Sequence, residues 1–232
     1  MKIISIIPAR GGSKRIPEKN IKPLAGKPLI VYTIEEALKS EKIERVIVST
    51  ENLEITEISE KSGAEVIKRP KELAEDKTPM IDVIFNVMNQ LKDDYDDSII
   101  IVLLQPTSPL RSAGDIDNCL DIILKNDCES VVSVYEISFP PYWVFEINKG
   151  YLTPKFGMKY IMMERGDFKK SYLPNGALYV ASFETLCKYK SFYCKRTIPY
   201  IMSFEKSIDI DNEIDFILTE LLMKKFRQSK DF

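Results

Sequence analysis

Apolar and polar positions alternate in blocks along the chain. Residues 2–8 form an apolar run rich in Ile and predict a buried strand. In residues 28–40, Ile30, Ile34, Ala37 and Leu38 recur at helical spacing and predict an amphipathic helix. The pairing then repeats. Residues 45–50 (RVIVST) read as a strand, 52–62 as a helix ended by Gly63, and the surroundings of Val66 and Ile67 as a short strand. A helix over 79–92 opens on Pro79, where a missing N–H costs nothing. Residues 99–104 (IIIVLL) are apolar throughout and read as the central strand, covered on both faces. A helix over 115–125 and a strand over 130–135 follow.

The rhythm breaks at 138–174. Pro140, Pro141, Pro154 and Pro174 are interleaved there with Tyr142, Trp143, Phe145, Tyr151, Phe156 and Tyr160. This stretch is too aromatic for a disordered linker and too long for a simple crossover. It reads as a β-rich insertion that covers another subunit, although a flap over its own domain fits the same composition. Strands at 177–181, 200–203 and 207–210, a short helix, and an amphipathic helix from 212 to about 227 complete the chain.

Alternating strands and helices imply an α/β fold: a single Rossmann-like, mostly parallel sheet with helices on both faces. The domain spans 1–137 and 175–232, with the insertion at 138–174. A chain of 232 residues suits one such domain. In such sheets ligands bind beyond the carboxyl ends of the strands.

Composition narrows the chemistry. The chain has no histidine, which excludes Ser-His-Asp triads, Cys-His pairs and His-ligated zinc. With 33 basic and 35 acidic residues there is no broad basic face, so nucleic acid is not the expected partner. No segment approaches the length of a membrane span or reads as a secretory signal, and the expected location is cytoplasmic. The scattered Cys119, Cys128, Cys187 and Cys194 read as small buried hydrophobes.

Two constellations remain. After the first strand comes "IIPARGGSKRIPEKN", in which Gly11, Gly12 and Ser13 let the backbone approach a ligand and Arg10, Lys14, Arg15 and Lys19 supply charge. It is neither a dinucleotide fingerprint nor a P-loop. Adjacent glycines can form an anion-binding nest, and four cations around it suit a triphosphate. A solvated basic loop that binds nothing accounts for the same residues. The second constellation is "SIDID". In a strand, Ile208 and Ile210 would face the core while Asp209 and Asp211 share the other face, on the order of 7 Å apart, placed to hold Mg²⁺ jointly. Asp211 could instead be a helix N-cap.

"IIPARGGSKRIPEKN", "VSTEN", "KRPKELAEDKT", "LLQPTSPLR", "PNGALYV" and "SIDID", in this order, resemble the CMP-sialic acid synthetase (acylneuraminate cytidylyltransferase) family, including CMP-legionaminic acid synthetases. The resemblance implies transfer of CMP from CTP to a nine-carbon keto sugar acid in a homodimer, with Mg²⁺ as cofactor. It assigns Arg10, Ser13, Lys14, Lys19 and Asn20 to the loop that holds CTP, with Arg69 near the base and Thr78 or Met80 beside it. Gln105, Asn175 and Tyr179 match sugar-pocket positions, and Asp209 and Asp211 the metal pair. Arg10, Lys19 and Asp211 are the expected catalytic residues. The insertion becomes a dimerisation arm whose Arg165 touches the sugar carboxylate. Tyr142 stands where the family tends to have Lys, which suits a less polar sugar and favours N,N'-diacetyllegionaminate over N-acetylneuraminate. A metal-dependent glycosyltransferase and a non-catalytic nucleotide-binding module are the alternatives.

Overall fold

The computed structural model describes residues 2–92, 94–96 and 98–229, with side chains through Phe226. The predicted domain bounds also run through positions 1, 93, 97 and 230–232, which lie outside the described residues. In chain order the elements begin with β1 (Ile3–Pro8), a small hairpin of β2 (Pro23–Leu24) and β3 (Lys27–Pro28), α1 (Leu29–Leu38) and β4 (Arg45–Thr50). Next come α2 (Leu53–Lys61), β5 (Glu65–Lys68), α3 (Met80–Gln90), β6 (Ile100–Leu103), α4 (Ala113–Lys125) and β7 (Ser130–Glu136). The insertion holds β8 (Phe145–Asn148), β9 (Tyr151–Pro154) and α5 (Met158–Ile161); β10 (Tyr172–Ser182), α6 (Phe183–Tyr189), β11 (Thr197–Ile201) and α7 (Glu213–Ser229) follow.

The main sheet has the order β11-β7-β10-β6-β1-β4-β5, so the IIIVLL strand is its middle member as expected. β1 runs parallel to both β4 and β6, while β10 is antiparallel to β6 and β7. The chain leaves β1 to one side for β4 and returns to the other side for β6. A crevice therefore opens at the carboxyl ends of β1, β4 and β6. Helices cover both faces because β1 is apolar in both directions: Ile3 and Ile7 pack with α1, α2 and α4, and Ile4 and Ile6 with α3.

A third, smaller cluster decides where the site lies. Ile16 and Leu24 from the loop after β1 pack with Ile208 and Ile210 and with Phe216 and Met223 of α7. Ile16 and Ile210 are fully buried, and each contributes roughly 1.5–3 kcal/mol of hydrophobic stabilisation. This contact joins segments almost two hundred positions apart in sequence.

Several expectations need correction. Residues 207–210 are not a strand: a 3-10 turn over Glu205–Ser207 leads into an extended segment outside the sheet. There the Ile210 N–H bonds to the Thr107 carbonyl at 2.8 Å and the Ile210 carbonyl is taken by a side chain, so no strand ladder forms. The 200–203 strand is β11, and the 177–181 strand extends back to Tyr172. α4 starts two residues early because Ser112 and Asp115 make a capping box. The insertion holds the hairpin β8–β9 and the first residues of β10, with short helical turns between them. Of the cysteines, Cys119 is buried but Cys187 is exposed.

Candidate active site

A cavity of about 600 Å³ opens at the crevice between the loop after β1 and the segment before α7. Arg10, Ser13, Lys14, Lys19, Asn20, Arg69 and Gln105 line it together with Asp209 and Asp211. Nine of the expected site residues thus share one wall.

The loop is closed by polar contacts on its own backbone. Asn20, buried, donates from Nδ2 to the Arg10 carbonyl at 2.9 Å. Lys19 spans the gap to the other segment, with Nζ 2.6 Å from the Ile210 carbonyl and 3.6 Å from Asp211 Oδ1. Arg15 adds an ion pair to Asp211 Oδ2 at 2.8 Å. Arg10 and Lys14 both pair with Asp76, Arg10 at 2.6 Å.

The expected glycine nest is not formed. Neither Gly11 nor Gly12 takes the positive φ that an alternating nest needs. The Gly11 N–H donates instead to Glu51 Oε1 at 2.7 Å, and the Ser13 N–H to the Gly11 carbonyl at 3.0 Å. Gly11 is required by packing, since a Cβ there would lie 2.5 Å from Asn52 Nδ2 at the start of α2.

The acidic pair keeps the alternation expected of it without being a strand. Ile208 and Ile210 point into the small core, and Asp209 and Asp211 face the cavity. Asp211 is not the helix cap. Asn212 Oδ1 accepts the amides of Ile214 and Asp215, and the Asp215 carboxylate receives those of Asp211 and Asn212. The Asp211 side chain is left to the cavity. Asp209 has no ion-pair partner among the described residues; desolvation by the cavity walls pushes its carboxyl up, with Asp211 adding to the effect against a hydrogen bond from Thr107. Asp209 feels the charge of Lys19 without pairing with it, and a carboxylate so placed beside a second carboxylate and open space fits a bound cation. Among the described residues no three acidic, His or Cys side chains cluster as a metal site. Two carboxylates facing the cavity are a donor set that fits Mg²⁺, which takes one or two carboxylates and completes its shell with phosphates and water.

The remaining expected residues relate to the cavity in different ways. Arg69 lines the cavity, yet its guanidinium is tied to backbone: Nη2 to the Ser49 carbonyl at 2.5 Å and Nη1 to the Leu73 carbonyl at 3.4 Å. Thr78 lies outside the cavity wall, its hydroxyl bonding to the Glu72 carbonyl at 3.3 Å; Met80 lines the wall instead. Asn175 is buried beneath the floor. Its Oδ1 accepts from Ser133 Oγ at 2.5 Å and the Ala177 N–H at 3.1 Å, and its Nδ2 donates to Ser207 Oγ at 2.9 Å. Tyr179 packs against Phe192 and Tyr193, and burial raises its phenol pKa, with smaller effects from Tyr193 and from the charge of Asp209.

Arg165 does not reach this cavity. It lines a small separate one in the insertion with Phe139, Pro140 and Phe168. Tyr142 is the centre of the insertion's own aromatic cluster, stacked on Tyr160 at 4.7 Å and on Phe168 at 5.6 Å. Outward from that cluster, Phe139, Ile147, Tyr151, Leu152 and Met162 are each at least 70% exposed.

Sequence reasoning missed Asp76, Glu51 and Thr107. All three stand inside motifs already singled out; Asp76 is two residues from Thr78 and Thr107 two from Gln105, whereas Glu51 has no expected site residue near it in sequence. Arg111 was also missed. It is fully buried and donates to the carbonyls of Gln105, at 3.4 Å, and Ala177, at 2.7 Å, which pins the Gln105 turn to β10.

Comparison with known proteins adds to this geometry. The family described as cytidylyltransferase matches residues 4–231. The chain is 38% identical, over 97% of both chains, to a CMP-N,N'-diacetyllegionaminic acid synthase of Legionella pneumophila. It is 37% identical over 94% of its length to an N-acylneuraminate cytidylyltransferase of Streptococcus agalactiae serotype III, and spans about half (52%) of that relative. A solved CMP:2-keto-3-deoxy-manno-octonic acid synthetase complexed with CTP superimposes with a TM-score of 0.73, covering 97% of this chain and 99% of that one at 18% identity, which shows a shared fold.

Proposed function

Because this chain belongs to the cytidylyltransferase family, we propose that it activates a nonulosonic acid. It transfers CMP from CTP to the anomeric hydroxyl of a nine-carbon keto sugar acid and releases pyrophosphate. N,N'-diacetyllegionaminate is placed ahead of N-acetylneuraminate. The observation that carries the reading is the Lys19 bridge: one ammonium touches both the Ile210 carbonyl and Asp211, so the cationic loop and the acidic pair face a single ligand.

In the proposed reaction the sugar hydroxyl oxygen bonds to the α-phosphorus, the bond to the pyrophosphate oxygen breaks, and the hydroxyl proton passes to solvent water. No covalent step on the protein is needed; positioning and charge suffice. Arg10, Lys14, Arg15 and Lys19 neutralise phosphate oxygens, and the pyrophosphate departs against them. Asn20 fixes the loop that carries them. Asp209 and Asp211 would hold Mg²⁺, which would supply charge neutralisation and Lewis acidity at the reacting end of the nucleotide. Arg69, Met80 and Gln105 line the cavity; Arg69 and Met80 would border the base, and Gln105 the sugar.

The exposed apolar side chains of 138–174 support a homodimer in which this arm covers the partner. Arg165 would then serve the partner's cavity, since it does not serve its own. Among the described residues no helix is long and apolar enough to cross a membrane.

Incubation with CTP, Mg²⁺ and a panel of eight- and nine-carbon keto acids, read by mass spectrometry and pyrophosphate release, tests the proposal. A CMP conjugate of a nine-carbon acid with stoichiometric pyrophosphate is expected. CTP binding without turnover of any acid, or glycosyl transfer without pyrophosphate, would overturn it.

A further inference from the structure

The cationic cradle is already neutralised by the chain itself. Asp211 occupies Arg15 and Lys19, Glu51 occupies the Gly11 N–H, and Asp76 occupies Arg10 and Lys14. Asp211 has another part to play as a cation ligand, and Glu51 lies deep at the end of β4. Asp76 is different. It stands at the cavity mouth, solvent-exposed, with one carboxylate oxygen on Arg10 and the other on Lys14. That is how two oxygens of a phosphate would be shared between the same two cations.

Resting on the nucleotide reading above, we infer that Asp76 is an internal counter-anion of the phosphate subsite, displaced when the triphosphate enters. A carboxylate held against both cations and a phosphate seeking the same cations repel each other, so both cannot stay. Asp76 can leave at little cost. It follows the 3-10 turn Lys71–Ala74, and the base of that segment is anchored independently by Arg69 on Ser49 and Leu73. Rotating one exposed side chain releases Lys14 and leaves Arg10 only its 3.5 Å bond to the Ala74 carbonyl, without moving the anchor. The device also selects its ligand. A singly phosphorylated anion gains little by displacing a carboxylate from two cations, whereas a polyphosphate engages the remaining cations as well.

The contrary reading is that Asp76 stays paired and orients Arg10 and Lys14 for the nucleotide. Calorimetric binding without Mg²⁺ at low ionic strength separates the two, using wild type, Asp76→Asn and Asp76→Ala with CTP, inorganic tripolyphosphate and cytidine. Displacement predicts that both variants bind CTP and tripolyphosphate roughly threefold to tenfold tighter, the change expected when exposed ion pairs no longer compete. Cytidine binding should be unchanged. Unchanged or weaker tripolyphosphate binding in variants that melt at the wild-type temperature overturns the inference. The tripolyphosphate arm decides Asp76 by itself; wild type that binds tripolyphosphate but no CTP would sink the nucleotide reading instead.

Discussion

Asn175→Ala separates two accounts of the same residue. The family resemblance makes Asn175 a sugar-pocket position, whereas the structure engages its whole carboxamide beneath the cavity floor. The side chain ties β7, through Ser133, to Ser207 at the start of the segment that aims Asp209 and Asp211. Truncation removes three conventional hydrogen bonds at about 1 kcal/mol each and strands the Ala177 N–H, at about 1–2 kcal/mol more. Ser133 retains Leu178 and Ser207 retains Ser203, so these hydroxyls are not orphaned. The expected loss is about 4–5 kcal/mol, a large share of a typical domain's stability of about 5–15 kcal/mol. At roughly 2–4 °C per kcal/mol for a chain of this size, the melting temperature should fall by about 8–20 °C. Thermal unfolding followed by circular dichroism reads this directly, and steady-state kinetics below the transition reads kcat against KM. The structural account predicts the melting shift and a fall in kcat. A melting temperature within about 2 °C of wild type, with only the sugar KM raised, would refute it and return Asn175 to the pocket wall.

Two further perturbations probe the supports of the site. Asp115 is buried, and although burial opposes it, hydrogen bonds from Ser112 and the Lys206 ion pair hold its carboxyl below the usual range. Its stabilisation is therefore present above the unfolded value of about 3.9 and lost as pH falls through the lower folded value. Asp115→Ala should cost about 2–4 kcal/mol at pH 7, with the gap to wild type closing below about pH 4 in denaturant titrations; a gap that persisted in acid would contradict the assignment. Deleting 142–160 should give a monomer in sedimentation with weakened sugar binding and retained CTP binding; a fully active dimer would dismiss the arm.

The parts of the fold legible in the sequence were those set by burial. β1 and β6 are apolar on both faces because both faces are covered, and periodicity reports that directly. The alternation of Ile208, Asp209, Ile210 and Asp211 survived even though the strand did not, because side-chain direction follows the extended backbone and not its hydrogen-bond partners. What the sequence could not carry was the destination of each polar group. Gly11 reads as an anion nest but answers to the proximity of Asn52. Asn175 reads as a pocket amide because a satisfied buried carboxamide and a ligand-binding one are the same letter. Tyr142 reads as a specificity change and is the centre of a local aromatic stack. Asp76 carried no signal alone, since its meaning depends on Arg10 and Lys14 across the fold.

The meeting of the basic loop with the late acidic pair is tested most directly by the turnover of Asp211→Ala over a Mg²⁺ titration, with CTP binding measured alongside. The account predicts that CTP is still bound while CMP transfer falls by about 10²-fold or more at every Mg²⁺ concentration. Near-normal turnover of this variant would contradict it.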